Sequence, residues 1–412
     1  MVDGGPPTPV LEGVVDRYID IFKFLKSHNG QHLAMVVSRT IQASDAVVHR
    51  PSVMVLSDIF RTPAFGTNHP LSIRRVETVY DLCHCLNWFD RDAVVTCDVA
   101  ANREILRFHK ADYLAALERA EALGVVQSSD RDTYNFGTME NPWFPGLLER
   151  AKTAVGGSIM AAKVALTGKT SFHPAGGTHH GMPTHASGFC YFNDPVFAVL
   201  TLLDAGLDRV AYVDLDAHHG DGVEAAFRNE PRVLTASTHE AERWPFTGTQ
   251  DVPAANIINI PVPRQCNDSE FNYLLDHKII CAIEKFRPHA IVITCGTDAL
   301  AGDPLSTMRL SNICLWDCVI RLQSHADCCV ILGGGGYNPW TLARCWTGLW
   351  GKLRGRDPGI GLPPCARTIL SGLACDLIDE DECDERWLST LADQPNTGEI
   401  RQEFLDLAQR TG

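Results

Sequence analysis

The segment Asp214-Leu-Asp-Ala-His-His-Gly-Asp221 carries five ionisable side chains in eight positions, directly after the short run Arg209–Val213. Burying such a group without a cation would be costly. Asp216-x-His218 turns two alternate side chains to one side of an extended chain, a compact pair of ligands. Asp298 offers a third ligand, because it closes Thr294-Cys-Gly-Thr-Asp298 after the apolar run Ala290–Ile293. One imidazole, two carboxylates and an open position match the three-ligand pattern of catalytic zinc. No thiolate is needed to complete the set, which disfavours a structural thiolate site. D-x-H by itself is weak, since most such pairs are caps or loop residues; the whole string is what carries the reading.

A second source of reactive groups is Gly176-Gly-Thr-His-His-Gly181. On a glycine-flanked loop, His179 and His180 can both face a pocket as general base and acid beside a metal-activated water. Each then needs a carboxylate to fix its tautomer, and Asp214 and Asp221 are free for that. The bland alternative is an exposed turn. Four glycines, Gly333–Gly336, precede Tyr337. They indicate a backbone that bends sharply or approaches a ligand closely. No G-K-[ST] or G-x-G-x-x-G follows, so a phosphate cradle is disfavoured. A tyrosine on such a loop can donate to a developing oxyanion.

These clusters need elements to hold them. The runs 209–213, 290–293 and 329–332 read as buried parallel strands. Residues 112–123, 147–166, 271–286 and 315–326 read as helices. Such alternation predicts an α/β domain around a mostly parallel sheet. In such sheets ligands sit outside the carboxyl ends of the strands, so the three strand-end clusters are expected to converge on one pocket.

Bulk properties narrow the class. The formal charge is −14 and no Lys/Arg-rich run appears, so direct nucleic-acid binding is not expected. The acidic surface suits a cationic substrate or simply keeps the protein soluble. Fifteen cysteines occur without a zinc-knuckle or C-x-x-C pattern. Together with the lack of a secretory signal and of any apolar run of ~18 residues, they predict a cytoplasmic protein with buried free thiols and no membrane span. Residues 1–52 carry no recognisable chemistry and read as an N-terminal extension, with Tyr18–Leu25 a short helix or strand. Residues 53–395 form the expected catalytic domain, and 396–412 a C-terminal tail.

From about residue 53 to the early 390s the chain resembles the histone deacetylase superfamily, in flavour nearest the bacterial acetoin-utilisation deacetylases and class I enzymes. The matching strings are His69-Pro70, Pro174–His180, Ala186–Asp194, Asp214–Glu224, Asp298–Asp303 and Gly333–Asn338. The resemblance implies a single three-layer arginase/deacetylase-like α/β domain with about eight strands in a mostly parallel sheet. It implies that Asp216, His218 and Asp298 hold one zinc, or iron(II) on the same ligands. His179 and His180 become the catalytic pair, backed by Asp214 and Asp221, and Tyr337 polarises the scissile carbonyl. Phe189 and Phe246 are expected to line a tunnel, with Gly188 beside the substrate and Leu305 at the mouth. Arg75 falls near an internal acetate pocket. A structural potassium is expected at Asp214, Asp216, His218, Ser237 and Thr238, largely through backbone carbonyls. Three departures stand out. The family's Phe-Pro-Gly-Thr-Gly loop reads Phe246-Thr-Gly-Thr-Gln250; Glu140 replaces the rim aspartate that grips substrate backbone; and His173 and His185 flank the histidine motif, where they read as surface or supporting residues.

The expected chemistry is removal of acetyl or related acyl groups from lysine side chains or small amines. Candidate substrates are an acylated lysine peptide or protein, an acetylpolyamine, or a longer acyl-amine; oligomeric state is open. A ureohydrolase is disfavoured because Asp298 has no partner in a D-x-D pair. A non-catalytic acyl-lysine binder is disfavoured because no ligand, histidine or tyrosine is lost.

Overall fold

Short apolar strands feeding polar loops build the frame of this protein. The computed structural model describes residues 50–62, 64–379 and 383–409. Residues 1–49, including the Tyr18–Leu25 segment, lie outside the described residues. The strands are β1 (Ser52–Leu56), β2 (Val94–Thr96), β3 (Thr170–His173), β4 (Val210–Asp214), β5 (Val233–Glu240), β6 (Ile257–Val262), β7 (Ala290–Thr294) and β8 (Cys328–Leu332). They form one eight-stranded sheet in the order β2-β1-β3-β8-β7-β4-β5-β6. Every pairing in it is parallel.

The central strands β4, β7 and β8 read as apolar runs because both faces are covered. Successive side chains point to opposite faces. Val210 and Tyr212 of β4, Ala290 and Val292 of β7, and Val330 and Leu332 of β8 pack in one cluster with helices Leu147–Ala165 and Asp194–Asp204. Ala211 and Val213, Ile291 and Ile293, and Cys329 and Ile331 enter the opposite cluster. There they meet helices Val76–Cys85, Asn312–Gln323, Pro339–Leu353 and Pro364–Ser371. This is the expected three-layer α/β arrangement. Truncating a fully buried strand residue such as Ile293 would cost about 2–5 kcal/mol.

Two features add to the expected plan. Within the C-terminal tail expected over 396–412, helix Gln402–Gln409 buries Phe404 and Leu407, and Arg401 pairs with the buried Glu270. Not all thiols are free, since Cys85 and Cys365 form a disulfide joining helices Val76–Cys85 and Pro364–Ser371. Spacing along the chain cannot reveal a pair 280 residues apart. No helix among the described residues is long and apolar enough to cross a membrane.

Candidate metal centre and active site

Strand order decides where the reactive loops meet. β3, β8, β7 and β4 are consecutive neighbours. Their carboxyl ends therefore present the histidine pair, the glycine loop, Asp298 and the Asp216/His218 pair side by side. Ligand atoms of Asp216, His218 and Asp298 lie within 4.8 Å of one another. His218 Nδ1 is 2.9 Å from Asp298 Oδ2 and 3.3 Å from Asp216 Oδ1. Asp216 and Asp298 are fully buried, and His218 nearly so. Burial, then the Asp216 charge, pushes the Asp298 carboxyl up to about 6. Burial opposes charge on His218, yet the two carboxylates pull it up to about 10. Two converging buried carboxylates thus call for positive charge between them. Backbone amides orient them: Ala217 N–H donates to Asp298 Oδ1 at 3.0 Å and Gly335 N–H to Asp216 Oδ2 at 2.6 Å. One imidazole nitrogen and two carboxylate oxygens fit a zinc or iron(II) ion.

The two histidines differ in environment. His179 Nδ1 lies 2.7 Å from Asp214 Oδ2, which also accepts from the Tyr212 hydroxyl at 2.6 Å. Burial disfavours the His179 cation, but the Asp214 and Asp216 charges outweigh it and raise the imidazole to about 9. His180 Nδ1 lies 2.8 Å from Asp221 Oδ1. Burial, followed by the neighbouring His179 charge, lowers His180 to about 3. The rings are 3.9 Å apart at their centroids, so a second positive charge there is strongly disfavoured. The two environments therefore favour a proton on His179 over one on His180.

The glycines before Tyr337 are required by the groups packed beneath them. A Cβ on Gly335 would collide with Asp298 Oδ2, and one on Gly336, at φ +133°, with Thr297 Oγ1. Arg75 holds this loop by donating to the carbonyls of Gly334 and Gly336. Asp303 accepts from Tyr337 N–H at 2.7 Å and from Leu305 N–H at 2.9 Å. Asn338 then caps helix Pro339–Leu353, accepting from the backbone N–H of Trp340 and Thr341. Tyr337, His179, His180, Gly188 and Phe189 line one cavity of about 170 Å³ together with Arg75.

Of the expected tunnel and rim residues, Phe189 stands in place, with Tyr337 at 5.8 Å and His69 at 4.6 Å between ring centroids. Phe246 does not: it is 69% exposed. Trp244 takes the inner position, 4.6 Å from the His180 ring and 6.4 Å from that of His218. Leu305 lies with Trp244 along an adjoining groove. Glu140 turns inward rather than to the rim. Its Oε1 accepts from Gly188 N–H at 3.0 Å, and its Oε2 from the amides of Asn135 and Asn141. Ser237 and Thr238 sit beside Asp214 on β5, and Thr238 Oγ1 donates to the Asp214 carbonyl at 3.2 Å. His173 is fully buried, with Nδ1 donating to Val55 O at 3.1 Å, and His185 is half-buried beside Thr184.

Supporting residues with no local sequence signal also emerge. His109 accepts from Asn193 N–H at 3.1 Å, while the Asn193 amide donates to the carbonyls of His179 and Gly181. Asp303 and Trp244 had visible neighbours, the Asp298–Asp303 string and the altered 246–250 loop, but nothing in their spacing revealed their contacts.

A histone deacetylase domain profile matches residues 69–353. The acetoin utilization protein AcuC of Bacillus subtilis is 34% identical over 332 residues, covering 76% of this chain and 85% of AcuC. Histone deacetylase clr6 of Schizosaccharomyces pombe is 34% identical over 309 residues, 73% of this chain and 76% of the relative. The crystal structure of a histone deacetylase homolog from Aquifex aeolicus superposes with a TM-score of 0.83 at 33% identity, covering 87% of this chain and 99% of that one. A crystal structure of a homolog complexed with SAHA gives a TM-score of 0.82, also at 33% identity and with the same coverage.

Proposed function

The chain belongs to the histone deacetylase family, and on that premise we propose that it is a zinc-dependent hydrolase removing acetyl or related acyl groups from amines. The observation that carries this reading is the convergence of the Asp216–His218–Asp298 set and the two His–Asp pairs on one buried site. Zinc, with iron(II) as the alternative, would be held by those three side chains and would supply Lewis acidity and a more acidic water. Where β4 pairs with β5, we propose potassium at the Asp214, Asp216, His218, Ser237 and Thr238 positions.

The residues divide the remaining work. Neutral His180, oriented by Asp221, accepts the proton of the attacking water. Cationic His179, held by Asp214 and Tyr212, keeps a fixed positive charge beside the developing oxyanion. The Tyr337 hydroxyl, presented by the glycine loop, donates to that oxyanion. His180, once protonated, returns the proton to the leaving amine nitrogen as the C–N bond breaks. Phe189 and its facing wall exclude water around the alkyl stem.

A small acylated amine is favoured over a long peptide by one feature. Both Glu140 oxygens accept hydrogen bonds within the protein, so this carboxylate is not free to grip substrate backbone in the way expected of the rim aspartate. The test is hydrolysis of a fluorogenic acetyl-lysine substrate and of monoacetylated diamines by the zinc-loaded protein. Release of free amine is expected from both, with higher kcat/KM for the diamines. His180→Ala should lower turnover ~10²–10⁴-fold while metal content persists. Equal loss of metal and activity would make His180 a ligand, and inert wild-type protein would refute the hydrolase reading.

A further inference from the structure

The loop after β5 departs from expectation in its shape, and its anchors explain why. Arg243 is fixed by Glu240 and by the Leu305 carbonyl, which its guanidinium reaches at 2.6 Å. Phe246 N–H closes a turn onto the Arg243 carbonyl at 2.8 Å, and Phe246 itself has φ +62°. Behind the turn, Thr247 Oγ1 meets His219 Nδ1 at 2.8 Å, and His239 Nε2 meets the Gly248 carbonyl at 3.0 Å. These ties hold the backbone so that Trp244 faces the histidines and Phe246 faces solvent.

Trp244 crosses the His180 ring edge-on, at 75° between planes. It also lies so close over Gly188 that a Cβ at that glycine would collide with the outer edge of the indole. Gly188 and His180 line the cavity that holds Tyr337 and Phe189. On its other side Trp244 lines a groove of about 410 Å³ with His218, Glu240, Arg243, Leu305 and the outward-facing Phe246. The indole thus stands between the histidine pair and an open groove, onto which the candidate ligand His218 also faces.

We infer that Trp244, rather than Phe246, is the second wall of the substrate slot and a specificity-determining residue. An indole in this place, over Gly188 and against His180, closes the slot around an unbranched alkyl chain at the scissile amide. It also denies bulkier acyl-amines the volume of the groove behind it. The inference rests on the deacylase reading but concerns selectivity, so the two fail separately.

Kinetics of Trp244→Ala, Trp244→Phe and Phe246→Ala would test it, with acetyl-lysine and an acetylated amine branched next to the nitrogen as substrates. Trp244→Ala should raise KM for acetyl-lysine roughly tenfold or more, the scale of lost shape complementarity in an apolar pocket, with kcat changed less. It should also narrow the preference for the unbranched substrate by merging slot and groove. Trp244→Phe keeps a ring and should show a smaller shift in the same direction, which guards against a folding defect in the alanine variant. Phe246→Ala changes the groove lining but not the contacts to His180 and Gly188, so it should shift KM and selectivity far less than either Trp244 variant. Unchanged KM and selectivity in both Trp244 variants, or a KM rise in Phe246→Ala instead, would overturn the inference. A wild-type protein that cleaves no acyl-amine would overturn the deacylase reading and this inference with it.

Discussion

His109 offers a test of how the site is supported from below. It is 1% exposed, with Nδ1–H donating to Met182 O at 3.0 Å. Its Nε2 must remain unprotonated, because Asn193 N–H can only donate to it. Rings of Phe192 and Tyr113 pack around it at 4.9 and 5.9 Å. Burial, little offset by the Met182 bond, holds its pKa down at about 3. The unfolded chain has an ordinary histidine value near ~6.5. Between these values the unfolded state binds more protons, so stability is fully present above pH ~6.5 and falls as the pH drops toward 3. At pH 5 the difference amounts to about 2 kcal/mol, from ~1.4 kcal/mol per unit over some ~1.5 effective units. The perturbation is His109→Gln, which removes the titrating group. Urea unfolding followed by tryptophan fluorescence at pH 8, 7, 6 and 5 gives the stability of both proteins. The variant should be less stable at pH 8, by roughly 2–4 kcal/mol for a broken buried network. That gap should shrink by about 2 kcal/mol at pH 5, because only the wild type must keep His109 neutral. Contributions from other histidines, such as His239, are common to both proteins and cancel. Parallel stability curves from pH 8 to 5 would refute the reasoning.

Other outcomes follow from the same geometry. Tyr337→Phe should lower kcat ~10²–10³-fold with little change in KM, since the hydroxyl acts on charge that develops only in the transition state; unchanged turnover in steady-state assays would show that Tyr337 only packs. Asp216→Asn should abolish activity and metal retention, and elemental analysis of the wild type should find one divalent ion per chain at this site; two would favour a ureohydrolase-type cluster. Gly335→Ala places a methyl group against Asp298, so metal affinity should fall sharply in a chelator competition, and a normal affinity would mean that the loop yields without cost.

The reactive residues were legible because their identities are local. Asp216, His218, Asp298, His179, His180 and Tyr337 each follow a strand or occupy a glycine-flanked loop, and such patterns depend on spacing alone. The strands β4, β7 and β8 were legible too, within a residue or so at each end, because burial on both faces makes a continuous apolar run. What only tertiary structure decided is which strands are neighbours, and hence that the histidine loop after β3 joins the three strand-end clusters expected to converge. The order β3-β8-β7-β4 joins segments far apart in sequence, and no local periodicity encodes it. The same holds for the Cys85–Cys365 disulfide and for His109 under the histidine loop. It holds most clearly for the loop after β5. There Phe246 matched a family string, yet Trp244 took the inner place because Arg243, Thr247 and Gly248 are tied to Glu240, His219 and His239. Glu140 likewise turned inward once Gly188 N–H and two asparagine amides lay within reach. Side-chain chemistry is written residue by residue, whereas the direction a loop side chain faces is set by hydrogen-bond partners that folding brings from elsewhere in the chain.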